Sequence, residues 1–405
     1  MRLGCIAGQT PLDHWIFRAI LAETFLIALF PEAAKIALLI GLLLYLVKLK
    51  RYGWYFRRHS FDLPVAVFAV LGAASIAVSP NPAFSFYNYY NLVGVYLLTY
   101  LLVTQNVTER NQVRKMIQFL AAAAFFVVLY GFYQYVFGID TSAMRWVDGE
   151  AFPELRKRVF STWENPNILA GYLDAMICLA FGFFIRLQER LWRGLLFTGM
   201  VLLAICLAMT YARGACFTLA VVLLGYGILR DRRVLAGCIV VGGALLFFDS
   251  TLSERLFSVF TKVDTSSEMR MALWESTVAM IQEHPFLGIG WGAYWMVYPE
   301  YDFYLNGADV MIVHAHNMYL NYAAEIGLAG AAAFLWYFFG TMWRSFRSGS
   351  RATGFSGGVL LGIGLAILSV ALNGITDDVL FNIPSSMLLW LLCAVAAVVE
   401  KEFCR

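Results

Sequence analysis

Apolar runs of bilayer-crossing length recur along nearly the whole chain, and no other feature narrows its possible folds so far. Crossing about 30 Å of hydrocarbon at 1.5 Å per residue takes roughly 20 mostly apolar residues. Runs of that kind between charged or Pro/Gly-rich breaks predict about twelve helical spans. They fall at 13–30, 33–49, 62–79, 86–105, 115–137, 166–186, 192–210, 214–230, 233–250, 316–343, 354–373 and 383–400. Of the 405 residues 60% are hydrophobic and 14% charged, against about 25% charged in a soluble domain. Water is therefore not the main solvent. The expected fold class is all-α, a polytopic integral membrane protein. Spans one to nine occupy residues 1–250, a loop domain 251–315, and spans ten to twelve 316–405. The first run carries Arg18 and Glu23, so it either spans or lies on the interface. No cleavage site of small residues follows it, and an uncleaved helix is expected.

The positive charge is distributed by side. Lys and Arg crowd the connections around 48–58, 110–115, 186–193, 230–233, 344–351 and 401–405. The alternate connections hold fewer, chiefly Arg145, Arg156, Lys157, Arg158, Arg213, Arg255, Lys262 and Arg270. Cytoplasmic loops are the basic ones, so the loops around 80–86, 138–165, 211–213, 250–315 and 374–382 are expected to face outward. The net charge of +3 thus reports topology. No basic stripe with interleaved aromatics suggests nucleic acid as a partner. The seven cysteines show no CxxC spacing, and most lie in apolar runs, which suggests neither a disulfide framework nor a zinc site.

One connection stands apart. The outward segment from Asp249 to Ala315 is polar, contains a helix-like stretch at 267–282, and ends in a glycine- and aromatic-rich run at 284–301. Connections longer than about 15 residues are usually functional or disordered, and this one is too aromatic for disorder. It predicts a small cap over the outer ends of the helices.

Two of the five histidines form His314-Ala315-His316 at the outer end of the tenth span. His316-Asn317 would open a long helix whose first-turn N–H groups and positive dipole end face outward, a natural anion site. Asn317, Asn321 and Glu325 recur at i+4, a polar stripe running about 12 Å down that helix. Gly327 and Gly330 are spaced to let another helix approach. Ionisable groups at that depth are costly and usually face a cavity or a partner; the plainer role for Glu325 is a hydrogen bond to a neighbouring helix. Arg213 sits in the short outer turn Tyr211-Ala212-Arg213-Gly214. Its planar fork suits phosphate oxygens, although it could simply anchor to lipid headgroups. Arg158 precedes a turn-rich segment with Asn165 and Asn167, and Arg270 starts a cap helix. Three outward arginines beside His314 and His316 make a pyrophosphate pocket. Asp174 lies seven residues after Asn167, on the same helix face and roughly 10 Å deeper, as part of that site or as a structurally paired acid.

Other signals carry less. Gly288-x-Gly290-x-Gly292 lacks the strand-turn-helix of a nucleotide loop. His314-x-His316 has no third metal ligand at suitable spacing, and Glu300-x-Asp302 reads as a solvated loop instead of a divalent-ion site. No metal and no cofactor are expected.

His316-Asn317, nine intervening residues and Gly327-Leu328-Ala329-Gly330 together resemble the motif of the O-antigen ligase and polymerase superfamily. The resemblance extends to Arg158–Ala170 with Asn165-Pro166-Asn167, to Tyr211–Gly214, to Arg270-xxx-Trp274, and to His284-Pro285-xx-Gly288-x-Gly290. It implies a GT-C-like bundle of about twelve helices with one large periplasmic loop in the bacterial inner membrane. It also implies an inverting, metal-independent glycosyltransferase whose donor is a glycan on undecaprenyl pyrophosphate. The acceptor in ligases is lipid A core; in polymerases it is another lipid-linked glycan. By this resemblance His316 is the catalytic base, while Arg213, Arg158, Arg270, His314 and Asn317 bind the donor and Asn165, Asn167, Asp174, Asn321 and Glu325 support them. A transporter or flippase of lipids or glycans is the competing class, disfavoured by the cap and by polar groups gathered at one interface.

Overall fold

A computed structural model describes residues 10–138, 158–248, 265–302 and 312–404. Arg145, Arg156, Lys157, Arg255 and Lys262, expected on the outward side, and segments 249–264 and 303–311 of the expected cap lie outside the described residues. In chain order the helices are α1 (Pro11–Leu26), α2 (Pro31–Tyr52), α3 (Asp62–Ser75), α4 (Pro82–Tyr89), α5 (Val95–Asn106), α6 (Arg110–Phe137) and α7 (Pro166–Arg186). They continue as α8 (Arg190–Met209), α9 (Arg213–Leu229), α10 (Arg232–Phe248), α11 (Thr265–Glu283), α12 (Tyr294–Val297), α13 (Met318–Arg351), α14 (Gly354–Asn373) and α15 (Ile383–Phe403). No strand occurs among the described residues. The protein is all-α and polytopic, and each expected span coincides with a helix or, at 82–106, with α4 and α5 joined by a π-turn. Among the described residues six helices (α6, α7, α8, α13, α14 and α15) are long and apolar enough to cross a bilayer by length and composition.

The bundle has a distinct middle and periphery. Helices α7 and α14 are each 78% buried over their most apolar stretch, whereas α8 is 22% buried. The two central helices nearly touch backbone to backbone: a Cβ on Gly182 would stand 2.3 Å from Gly362 N and 2.5 Å from Gly358 O. On the periphery, Ile36, Leu39, Ile40 and Leu43 of α2 and Phe125, Phe126 and Leu129 of α6 are exposed, a ring of apolar side chains whose solvent is lipid.

Helix α1 and the turn after it are tied down at both ends. At one end Asp13 pairs with Lys48 at 2.5 Å; at the other, Thr162 Oγ1 donates to Ala28 O. The Lys48 end also gathers Arg344 with Glu400 at 2.8 Å, Arg186 donating to Gly349 O at 2.8 Å, and Arg110 and Arg114 over the Phe355 ring. The opposite end is built on asparagine caps. Asn81, Asn165, Asn317 and Asn382 each accept a first-turn N–H, and a proline inside the first turn of α4, α7 and α15 gives up an N–H that needs no partner.

Helix α13 departs from expectation. It is broken at Gly327, where φ is 73°, about 15 Å from its start at 1.5 Å per residue. The 284–292 run fills the break: Ile289 N–H donates to Ala324 O at 2.8 Å, Gly290 N–H to Glu325 O at 3.1 Å, and Leu328 N–H to Pro285 O at 2.9 Å. The expectation that Gly327 and Gly330 admit a neighbouring helix is thus corrected. A Cβ on Gly327 would run into Phe286 O, while one on Gly330 would first meet the side chain of Ile326 in the same helix. Non-glycine residues pay about 1–2 kcal/mol in the left-handed region before any clash. Gly327→Ala should therefore unfold at a clearly lower temperature than Gly330→Ala in the same detergent; equal melting would remove the docked loop from the account.

Candidate functional site

His316 lies at the asparagine-capped end, with its backbone at φ 48°. Among the described residues the non-glycine residues with positive φ are Ser161, Glu164, Tyr211 and His316, all in the three turns that carry the candidate side chains. Such strain persists only where surroundings over-determine it. Around His316 they do. Asn317 Oδ1 accepts from the N–H groups of Tyr319 and Leu320 at 3.0 Å each, and its Nδ2 donates to Ile375 O at 3.0 Å. Met318 N–H donates to Gly374 O at 2.8 Å, and Ala315 N–H donates to Asn321 Oδ1 at 3.2 Å. These bonds correct one expectation: the first-turn N–H groups of α13 are engaged and do not offer an anion site. Asn317 is committed to backbone groups, and Asn321 holds the backbone between the two histidines.

The loop that anchors α13 supplies the residue that sequence reading missed. Asp377 Oδ1 lies 3.2 Å from His316 Nδ1. Its other oxygen accepts from Asn167 Nδ2 at 3.3 Å, and Asn167 Oδ1 accepts from Arg158 Nη2 at 2.7 Å. Arg158 Nε donates to Thr210 O at 2.7 Å, next to the Tyr211 turn. One chain of contacts thus joins His316, Asp377, Asn167 and Arg158. Burial works to raise the Asp377 pKa, but the hydrogen bond and charge of His316, with the charges of His314 and Arg270, outweigh it and hold the group down at about 2. Asp377 is ionised at neutral pH. The adjoining Asp378 is pushed up to about 7 by burial and then by Asp377. The His314 and His316 rings stand 4.2 Å apart between centroids, and burial, followed by the neighbouring His316, lowers His314 to about 4, so its imidazole is neutral.

Arg213 begins α9 on the far side of the same loop. A methyl placed on Gly214 would lie 3.5 Å from Thr376 Oγ1 and 3.6 Å from Asn373 Oδ1, so the turn carrying Arg213 packs beside the loop carrying Asp377. Arg270, on α11, is close enough for its charge to act on Asp377. Asn165 caps α7 through Asn167 N–H at 2.8 Å, which sets Asn167 against Asp377.

The structure does not bring the two deeper acids to His316. Asp174 is buried and accepts from Ser369 Oγ of α14 at 3.3 Å. Glu325 sits at the break in α13 with its carboxyl toward the N–H groups of Gly292 and Tyr294, and its Oε1 is buried with no hydrogen-bond partner among the described residues. The i+4 stripe of Asn317, Asn321 and Glu325 lies wholly on the regular turns before the break at Gly327, and its deep end at Glu325 meets the docked loop. Asp302 accepts from Tyr298 OH at 3.1 Å, and Glu300 is exposed. The expectation that His314 and His316 lack a third ligand is also corrected: the ligand atoms of His314, His316 and Asp377 all lie within 4.8 Å of one another. Sequence spacing could not reveal a partner 61 residues away.

Fold and site define a polytopic all-α membrane protein with an acid–histidine pair and arginines gathered at one end of its bundle. Residues 198–335 match the O-antigen ligase family, and over that segment the resemblance read from the motifs stands. The matched stretch runs from α8 into α13 and includes Arg213, Arg270, His314, His316 and Glu325, but neither Arg158 nor Asp377. No curated protein matches the chain.

Proposed function

We propose that the chain transfers a glycan from undecaprenyl pyrophosphate to an acceptor hydroxyl at the periplasmic face of the bacterial inner membrane, most concretely as an O-antigen ligase acting on lipid A core. One observation carries the reading: an ionised aspartate paired with His316 beside three arginine-bearing segments. With Nδ1–H directed at Asp377, the imidazole base presents the Nε2 lone pair, which takes the acceptor proton as the hydroxyl attacks the anomeric carbon. Asp377 fixes that tautomer and stabilises the imidazolium that forms. Arg213, Arg158 and Arg270 hold the departing diphosphate and offset the charge growing on its oxygen, so inversion needs no metal.

The test is complementation. In cells lacking the chain, wild type should restore glycan to lipid A core, and Arg213→Lys should not, because a point charge cannot pair bidentately with phosphate oxygens. Restoration by the lysine variant at wild-type level would remove the diphosphate role. A null strain carrying single capped repeat units would move the assignment to the alternative, a polymerase extending lipid-linked repeats.

A further inference from the structure

His314, His316 and Asp377 form a constellation that the transfer chemistry does not need as a set of three. Two ligands on one tetrahedral zinc, each about 2.0–2.2 Å from the metal, stand roughly 3.4 Å apart. His316 Nδ1 and Asp377 Oδ1 are 3.2 Å apart, so an ion could replace the proton between them with almost no movement. His314 lies within the same 4.8 Å group. Its Nδ1 accepts from the His316 backbone N–H at 3.1 Å, and loading would exchange that N–H for the metal. The outer shell is in place as well: Asp377 Oδ2 accepts from Asn167 Nδ2 at 3.3 Å, the kind of contact that orients a ligating carboxylate. Three protein ligands leave a fourth position for water. Two imidazoles with one carboxylate favour zinc and its late transition-metal neighbours over magnesium or calcium.

We infer that this triad is a reversible inhibitory site for Zn²⁺. The consequence follows from the tautomer. While Asp377 holds the proton on Nδ1, the Nε2 lone pair is available as base; a metal on Nδ1 sends that proton to Nε2, and the lone pair is gone. The number of protons on the ring does not change. Binding as such does not depend on the proposed transfer reaction, whereas the inhibitory consequence rests on His316 being its base.

Zinc alone, titrated into the metal-free full-length protein in detergent against a chromophoric chelator, should bind at one saturable ion per chain. Asp377→Asn and His314→Gln should each abolish that site, with folding checked by thermal unfolding. His14→Gln, remote at the basic end, should leave it intact. Asn167→Ala should weaken it by about 10–100-fold. Wild type binding zinc no more tightly than both triad variants, or showing no saturable site, overturns the inference and leaves the transfer reading untouched. In the transfer assay zinc should inhibit and EDTA should restore. Stoichiometric binding without inhibition would overturn the inhibitory role, and with it His316 as the base, and leave only a zinc-binding triad.

Discussion

His316→Ala is expected to lower glycan transfer by about 10²–10⁴-fold, the usual contribution of a general base, while the protein stays folded. The stability half of this expectation comes from the surroundings. The histidine side chain is 32% exposed, and alanine inherits the same left-handed backbone, already held by Asn317, Gly374 and Asn321. Little packing is lost when the ring goes. Initial rates with lipid-linked donor, measured beside a melting curve, separate the two effects. Most of the turnover surviving at an unchanged melting temperature would leave the mechanism without its base.

Asp377→Asn should be nearly as damaging, because it keeps the shape and changes the proton. An amide can offer its N–H to Nδ1, which draws the proton to Nε2 and removes the lone pair needed there. Where an aspartate orients a catalytic histidine in this way elsewhere, the same change costs about 10⁴-fold. Asp377 is a positioning residue, so the loss should fall on kcat with the donor KM nearly unchanged. A rise in KM at constant kcat would instead make Asp377 part of donor binding.

Much of the fold could be read directly. Every expected span is helical because apolar length alone dictates a span in hydrocarbon, and the caps at Asn165 and Asn317 announce helix starts within one or two residues. His314, His316, Arg213, Arg158 and Arg270 were all legible as candidates, since each places a hydrogen-bonding cation or imidazole at the edge of an apolar run. Asp377 was not. It sits in the short loop between α14 and α15, whose sequence carries no signal beyond two adjacent acids, and its meaning appears only when α14 brings that loop against the start of α13. The break in α13 was hidden for a related reason: a glycine in an apolar run looks the same whether it admits a helix or a loop. The run at 284–292 was rightly set aside as a nucleotide loop, yet its positive-φ glycines answered to a backbone partner that no local pattern encodes.

The stitching at Gly327 has a further consequence for biogenesis. Ala324 and Glu325 carbonyls and the Leu328 amide lie at a depth where lipid tails would leave them bare, and each such bare group is expensive by several kcal/mol. The segment from Pro285 to Gly290 is translated before the helix it completes, and its bonds to Ala324, Glu325 and Leu328 make it the partner that those groups need. Insertion of α13 is therefore expected to be coupled to the docking of that segment, a stretch of chain that hydropathy alone would leave outside.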